Sequence, residues 1–309
     1  MIWRDMVPPG LVKWTRPARA CLARWRGTLR DSQSRRRVNA TIPEGYIAVD
    51  FCNEVGIGAR LVWCLNVLAY CEDHHLDADF RFSFPASPGT DFFSPFFSVS
   101  PIRRSNARRR FVRAVRLDAV PHEVVSLERG SELARKYLVP QPEIVAELDQ
   151  FWSEQRLDGH VLGVHYRGTD KTDEAPRVEY EAVAAKVTAY VAAHRDTSAI
   201  FVSSDERAFV DFAAANFGDL PIVFRDDFRR ADSERAIYRD LDDVLSIQRD
   251  AVVNSLLLAR CRGLIKTASF LSAFSALLNP EMDTFIMNTP HAKTLWFPER
   301  EMLRRQTWA

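Results

Sequence analysis

The second half of the sequence alternates between short apolar runs and longer amphipathic segments, and this alternation limits the fold more than any other feature. The apolar runs predict strands and the amphipathic segments predict helices. The strands are 161–166, 199–203, 221–224, 263–267 and 284–288, and the helices are 179–194, 206–216, 241–261 and 270–278. Repeated strand–helix units are typical of a parallel sheet with helices on both faces. We therefore predict a doubly wound α/β sheet in this half.

The first half of the globular part carries a weaker version of the same pattern. It predicts strands at 46–51 and 79–84 and helices at 61–70, 131–137 and 142–155. The segment 84–101 is rich in Pro, Ser and Phe, and its five phenylalanines fit either a core or the rim of an acceptor site. We predict two Rossmann-like domains, 39–155 and 156–309, that face one another across a cleft.

Residues 1–38 differ from the rest of the chain because apolar residues at helical spacing alternate with arginines. The pattern predicts a basic amphipathic helix and a linker, which either docks on an anionic membrane surface or packs on the protein. No apolar run reaches the roughly 20 residues that span a bilayer, and no signal peptide is recognised. We expect a cytoplasmic protein, with the inner face of the membrane as the alternative location.

The composition gives the chain no general affinity for polyanions. Hydrophobic residues make up 47% of the sequence, charged residues make up 27%, and the formal net charge is +1. These values are ordinary for a soluble protein, so we expect no nucleic-acid partner. The five cysteines form no CxxC pair, which favours reduced thiols in the cytoplasm.

Polar side chains follow three of the predicted strands. The ends of parallel strands meet at one edge of a sheet, so we expect these side chains to line a single crevice. The candidate binding residues are His165, Arg167, Thr169, Asp170, Lys171, Ser204, Asp205, Thr267, Ser269 and Ser272.

The side chains in this crevice suit a phosphorylated ligand. A guanidinium such as that of Arg167 holds two oxygens of a diphosphate, and the start of a helix presents N–H groups to an anion. Asp205 could accept hydrogen bonds from a base or a ribose. A solvated turn at 165–171 is the competing interpretation, and helix capping competes for Ser204, Asp205 and 267–272.

Two glycines, Gly56 and Gly58, lie between the first predicted strand and its helix. Glycines at such a turn let the backbone approach a ligand closely. A tight structural turn explains the pair nearly as well.

Several of these segments resemble motifs of the fucosyltransferase superfamily, which comprises α1,6, α1,2 and protein O-fucosyltransferases. Residues 165–171 read His-Tyr-Arg-Gly-Thr-Asp-Lys and resemble the α1,6 motif His-Val-Arg-Arg-Thr-Asp-Lys. Residues 200–205 resemble a second motif, a strand that ends in Thr/Ser-Asp. Residues 257–274 resemble a third, found in nodulation enzymes as Leu-Leu-Ala-Arg-Cys with a Ser-Ala-Phe ending.

The resemblance implies an inverting GT-B glycosyltransferase that uses GDP-fucose or a related nucleotide sugar, with a glycan or glycolipid as acceptor. It also implies that no cofactor and no divalent metal is required. By position, Arg167 would bind the β-phosphate and stabilise the leaving diphosphate. Asp205 would bind the nucleoside, and Thr267 with Ser269 would contact phosphate.

Inverting transfer needs a base that deprotonates the acceptor hydroxyl. A Glu-Ala pair follows the first motif in the α1,6 enzymes, and Glu174 with Ala175 matches it if one residue is deleted here. We therefore predict Glu174 as the base, with Asp173 as the second choice and an ordinary exposed loop carboxylate as the competing interpretation.

Three positions depart from the family pattern. Gly168 replaces the second arginine of the α1,6 motif, Asn254 stands where those enzymes carry an aspartate, and Ala59 replaces an asparagine after the glycine turn. Asn254 remains a candidate donor-binding residue, with a neutral hydrogen bond in place of a charged one. The alternatives are a different nucleotide sugar, or a non-catalytic member of the same fold that binds glycan or nucleotide.

Overall fold

A computed structural model describes residues 45–87, 89–102, 110–168, 174–228, 244–291 and 297–306. The predicted N-terminal helix at 1–38 lies outside these residues, and so do Thr169, Asp170, Lys171 and Asp173. The predictions made for them therefore stay predictions, as does the location of the protein. No helix in the described part of the chain is long and apolar enough to cross a membrane.

A three-stranded parallel sheet forms the first half. Its elements are β1 (Tyr46–Cys52), α1 (Ile57–Asp73), β2 (Asp77–Ser83) and β4 (Val112–Ala114), with strand order β2-β1-β4. All seven residues of β1 are buried, because helices or neighbouring strands cover every side of it. The predicted strand–helix–strand unit is confirmed, and α1 begins four residues earlier than the sequence suggested, since it starts at Ile57.

The Phe-rich segment contains one short strand, β3 (Phe97–Val99), which pairs antiparallel with β5 (Leu138–Pro140). Its five phenylalanines are all buried, and the rings of Phe84 and Phe92 pack edge to face. The sequence left two interpretations open for these phenylalanines, a core and the rim of an acceptor site. Their burial confirms the core. Two helices, α2 (Leu127–Tyr137) and α3 (Pro142–Glu154), lead to the second half.

The second half contains a five-stranded parallel sheet, as the sequence predicts. Its strands are β6 (His160–Tyr166), β7 (Thr197–Ser204), β8 (Ile222–Val223), β9 (Gly263–Lys266) and β10 (Asp283–Ile286). The helices are α4 (Tyr180–Ala193), α5 (Arg207–Asn216), α6 (Val244–Ala259) and α7 (Phe270–Leu278). The strand order is β10-β9-β6-β7-β8. Helices α4 and α5 cover one face of this sheet, and α6 and α7 cover the other.

One further helix, α8 (Phe297–Arg305), was not predicted. Five of its nine residues are charged, so it shows no apolar stripe of helical period. The available signal was Pro298 followed by Glu299, since proline and acidic residues favour the first turn of a helix.

The two halves share a continuous hydrophobic core. The largest of three buried clusters in the described part of the chain includes side chains of β1 and α1, of α6 and α7, and of one face of the second sheet. A ring contact between Phe97 and Phe274, with centroids 6.2 Å apart, joins the halves directly. The two halves are thus held together by apolar packing, and the division into two domains with its boundaries stays a prediction.

Candidate functional site

The strand order of the second sheet locates a crevice at its carboxyl edge. The chain proceeds from β6 through β7 to β8 on one side and then returns to β9 and β10 on the other. The loops after β6 and β9 therefore run to opposite faces and leave an opening between them, which is where open α/β sheets bind ligands. Arg167 follows β6 and Thr267 follows β9, so two predicted site residues border this opening.

Arg167 and Thr267 are joined by hydrogen bonds. The backbone N–H of Arg167 donates to Thr267 Oγ1 at 2.8 Å, and the N–H of Thr267 donates to the carbonyl of His165 at 2.9 Å. Thr267 is buried, whereas the Arg167 side chain is 21% exposed. The structure thus places a fixed backbone beneath a guanidinium that solvent or a ligand can reach.

Asp205, at the end of β7, faces Arg167. Its Oδ2 lies 3.9 Å from Arg167 Nε, and its Oδ1 accepts a hydrogen bond of 3.4 Å from the backbone N–H of Gly168. The Asp205 side chain is 14% exposed. The first two strand ends therefore meet as predicted, with a carboxylate beside the cation.

His165 and Ser272 are brought together, although 107 positions separate them in the sequence. His165 Nδ1 lies 2.9 Å from Ser272 Oγ, and both residues are buried. Burial, reinforced by the charges of Lys266 and Arg167, lowers the pKa of His165 well below its ordinary value. The ring is neutral at pH 7 and links the end of β6 to the first turn of α7.

Two of the predicted binding hydroxyls accept hydrogen bonds from nearby backbone N–H groups. Ser269 is the N-cap of α7 and accepts a hydrogen bond of 3.3 Å from the N–H of Leu271. Ser204 Oγ accepts one of 3.0 Å from the N–H of Glu206. Both serines are buried. The capping interpretation describes the contact of Ser269, whereas Ser204 precedes the N-cap of α5, which is Glu206.

The last residue of β9, Lys266, does not face the opening. Its ammonium forms an ion pair with Glu299 of α8, and both side chains are 0% exposed. The polar end of β9 predicted from the sequence thus contributes Thr267 and Ser269 to this edge, and Lys266 lies beneath them.

Gly168 is packed against a carboxylate that sequence reasoning missed. A Cβ atom at this position would lie 2.2 Å from Glu206 Oε1 and 2.8 Å from a ring carbon of Tyr166. Glu206 in turn accepts hydrogen bonds from Arg177 at 3.0 Å and from Tyr180 at 2.5 Å. The volume that an arginine at position 168 would enter is therefore filled by Glu206.

Glu174, the predicted base, lies beside the turn that opens α7. Its neighbour Ala175 packs against Ala268, and its own carbonyl accepts a hydrogen bond of 2.8 Å from the N–H of His291. Asn288 braces the arrangement, because it accepts from the N–H of Ala268 at 2.6 Å and donates to the carbonyl of Pro176 at 2.7 Å. Asn288 follows the fifth strand, so the rule about strand ends could have found it.

Asn254 is buried in α6, where its amide donates to the carbonyl of Asp250 at 3.0 Å. Asp250 lies 3.6 Å from Arg225, which follows β8. Arg225 also pairs with Asp227 at 2.6 Å, so the loop after β8 contains an internal ion pair. Asn254 thus lies one helical turn from Asp250, whose carboxylate contacts Arg225, and its role in donor binding stays a prediction.

The two glycines after β1 have different surroundings. Gly56 is the N-cap of α1, and a Cβ there would meet nothing within 4 Å. A Cβ on Gly58 would lie 2.6 Å from the backbone nitrogen of Leu271 in α7. Gly58 therefore allows α1 to touch the first turn of α7, and a role of the two glycines in ligand binding stays a prediction.

Among the described residues, no group of three or more His, Cys, Asp or Glu side chains could hold a metal ion. The independence from divalent metal implied by the family resemblance stays a prediction.

No protein-family model matches this sequence, and no curated protein sequence matches it significantly. Solved structures do match. The structure of NodZ, an α1,6-fucosyltransferase soaked with GDP-fucose, has a TM-score of 0.50 at 16% identity, covering 76% of this chain and 93% of that chain. NodZ from Bradyrhizobium gives the same TM-score and identity and is covered over 94% of its length. An Arabidopsis thaliana FUT1 variant in complex with GDP has a TM-score of 0.50 at 9% identity, covering 86% and 76%.

At identities this low, the structural matches establish a shared fold alone. The resemblance carried by three sequence motifs is thus confirmed at the level of the fold: the chain has the GT-B fold of the fucosyltransferases NodZ and FUT1.

Proposed function

We propose that this protein is a metal-independent, inverting glycosyltransferase that transfers fucose from GDP-fucose, or a sugar from a related nucleotide sugar, to a hydroxyl of a glycan or glycolipid. The observation that carries the proposal is the position of Arg167 at the switch point of the second sheet, next to Asp205 and above Thr267. The fold supports it as well, since NodZ was soaked with GDP-fucose and FUT1 was in complex with GDP.

Arg167 serves the step in which the bond between the sugar and the diphosphate breaks. Negative charge develops on the departing β-phosphate, and a positioned guanidinium stabilises that charge through two parallel hydrogen bonds. The hydrogen bond from the backbone N–H of Arg167 to Thr267 fixes the backbone that carries the guanidinium, which limits the reorganisation needed during the reaction. Asp205 keeps the guanidinium oriented and is also placed to accept a hydrogen bond from the nucleoside.

Glu174 is the residue we assign as base. In an inverting transfer the base removes the proton of the acceptor hydroxyl while the oxygen attacks the sugar carbon from the side opposite the diphosphate. The packing of Ala175 against Ala268 keeps Glu174 at the turn that opens α7, close to the proposed phosphate site.

The contact between Glu206 and Gly168 supports a donor other than GDP-fucose as the second candidate. The α1,6 motif has a second arginine at this position, and here a carboxylate paired with Arg177 and Tyr180 occupies the space. A donor pocket with a carboxylate in the place of the second arginine makes other contacts with its ligand than the pocket of the α1,6 enzymes. This difference favours a related nucleotide sugar.

The proposal is tested by incubating purified protein with a panel of nucleotide sugars and measuring nucleotide release. We expect turnover of a GDP-sugar, and we expect Arg167→Ala to reduce it at least 100-fold, because a loss of transition-state stabilisation of about 3 kcal/mol corresponds to that factor. Arg195→Ala is the matched control, since Arg195 is exposed at the opposite edge of the sheet. Cleavage of no donor, or equal rates for the Arg167 variant and wild type, would contradict the proposal.

A further inference from the structure

Helix α8 is attached to three separate parts of the molecule. Glu299 contacts β9 and the start of α7, and Glu301 accepts a hydrogen bond of 2.9 Å from the N–H of Leu127 at the start of α2. Just beyond the helix, Gln306 pairs with the backbone of Ile286 in β10, accepting at 2.8 Å and donating at 3.3 Å. The helix therefore spans from the first half to the edge of the second sheet.

The contact of Glu299 differs from the other two because it lies inside the protein. Glu299 Oε1 accepts hydrogen bonds from Lys266 Nζ and from the backbone N–H of Ser269, the latter at 2.5 Å. Lys266 Nζ also donates to the carbonyl of Ser269 at 3.2 Å. Both polar backbone groups of Ser269 are thus held by this pair, which we call the Glu299 clamp.

Stability alone is a weak explanation for such a pair. Removing two charges from water costs several kcal/mol per ion, and buried ion pairs are often replaced by apolar side chains without loss of stability. Burial lowers the pKa of Lys266 and raises the pKa of Glu299, while their mutual attraction opposes both shifts. The charge of Glu174 raises the pKa of Glu299 further. Burial thus disfavours the charged forms of both side chains. The specific contribution of the pair is the position that its hydrogen bonds give to the backbone of Ser269.

Ser269 lies at the point where the site is assembled. It is the N-cap of α7, and two residues before it Thr267 accepts the hydrogen bond from the N–H of Arg167. One turn later Ser272 contacts His165. A displacement of Ser269 would therefore move both the first turn of α7 and the support of Arg167.

We propose that Glu299 is a positioning residue: together with Lys266 it fixes the backbone of Ser269 and thereby orients the first turn of α7 and Arg167 toward the diphosphate of the donor. Glu299 is fully buried and does not itself touch the ligand. The inference rests on the proposed function for the identity of that ligand, and the clamp itself is defined by contacts within the protein.

The experiment uses a double variant, Lys266→Met with Glu299→Met, which removes both charges and keeps apolar volume in their place. Two quantities are measured on the full chain: amide hydrogen exchange over residues 267–272 without nucleotide, and the affinity for GDP by calorimetry. Glu299→Gln retains an oxygen that accepts from Ser269. Glu301→Gln is the matched control, since Glu301 is on the same helix and contacts α2.

We expect the double variant to keep its unfolding midpoint within a few degrees of wild type, while exchange over 267–272 accelerates and GDP affinity falls at least tenfold. Glu299→Gln should lose less than threefold in affinity, and Glu301→Gln should leave both readouts unchanged. A purely structural role predicts the opposite pattern, a lower midpoint with unchanged affinity, and that result would overturn the inference.

If the double variant does not fold, Lys266→Met alone decides the question. This variant removes the two hydrogen bonds that Lys266 Nζ donates, to Glu299 and to the Ser269 carbonyl, and keeps the acceptor for the N–H of Ser269. We expect faster exchange over 267–272 and a loss of affinity of several fold, and wild-type values for both would overturn the inference. If wild type binds no GDP, the proposed donor is wrong, and the exchange rates in the nucleotide-free protein still decide whether the clamp holds Ser269.

Discussion

Thr267 shows how a buried hydroxyl can position the backbone of a partly buried cation. Thr267 Oγ1 accepts a hydrogen bond from the backbone N–H of Arg167. Replacing Thr267 with Val keeps the shape of the side chain and leaves this partly buried N–H without its acceptor. Such a loss costs about 1–3 kcal/mol. We predict that Thr267→Val lowers stability by this amount and lowers turnover at least tenfold, whereas Thr267→Ser keeps both near wild type. Urea unfolding and donor turnover measure the two effects, and equal turnover in both variants would contradict this role.

Gly168 is the position where the chain departs most clearly from the α1,6 motif, and its surroundings give a physical reason. Because an added Cβ would lie 2.2 Å from Glu206 Oε1, neither alanine nor arginine fits unless Glu206 moves. We predict that Gly168→Ala is destabilising on its own and much less so when combined with Glu206→Ala. A double-mutant cycle in urea measures this coupling, which we expect to be about 1 kcal/mol or more. Additive effects of the two changes would contradict it.

At the scale of elements, α1 and α7 meet at their first turns. Gly58 allows the contact, since a Cβ there would lie 2.6 Å from the backbone of Leu271. We predict that Gly58→Ala displaces the start of α7 and lowers both the unfolding midpoint and the affinity for nucleotide. Gly56→Ala is the control for the unfolding midpoint, because Gly56 has φ of −61° and open space around it. Equal midpoints for the two variants would show that the contact is unimportant.

The elements of the second half could be predicted from the sequence because each strand is a short apolar run that precedes an amphipathic segment. The strands β3, β4 and β5 could not, since each has only three residues and takes its shape from its neighbours. The sequence pattern did not reveal helix α8, because hydrogen bonds and an ion pair with distant residues hold this helix in place.

For the candidate site, the rule that parallel strands end at one edge of the sheet predicts that Arg167, Asp205 and Thr267 lie close together. Sequence patterns do not reveal which side chains are buried there. The pairing of Lys266 with Glu299 and the contact of Gly168 with Glu206 both depend on residues that are distant in sequence. Contacts of this kind follow from the tertiary packing.

At the scale of the whole molecule, Glu72 links α1 to α2 and so contributes to the packing of the first half. It accepts hydrogen bonds from Lys136 at 2.6 Å and from Tyr137, and it pairs with Arg129. Burial alone would raise the pKa of Glu72, but these hydrogen bonds and the charge of Arg129 outweigh it and lower the pKa to about 2.

This shift predicts how the stability depends on pH. Because the pKa of Glu72 in the folded protein lies below its ordinary value of 4.5, its contribution is fully present above that pH and is lost as the pH falls toward 2. We predict that Glu72→Gln lowers the free energy of unfolding at pH 7 by about 2 kcal/mol, with a smaller difference at pH 3. Glu132→Gln, which removes an exposed partner of Arg129, is the control. A constant difference at both pH values would contradict the assignment.

The most direct test of the account is the thermal unfolding midpoint of the protein with each member of a nucleotide-sugar panel. A ligand at 100 times its dissociation constant stabilises the folded state by about 2.7 kcal/mol, which raises the midpoint by a few degrees. We predict that GDP and a GDP-sugar raise it, that UDP- and CMP-sugars do not, and that Arg167→Ala reduces the rise. Protection by a UDP- or CMP-sugar alone, or by no nucleotide at all, would contradict the central claim that the crevice beside Arg167 binds a GDP-sugar.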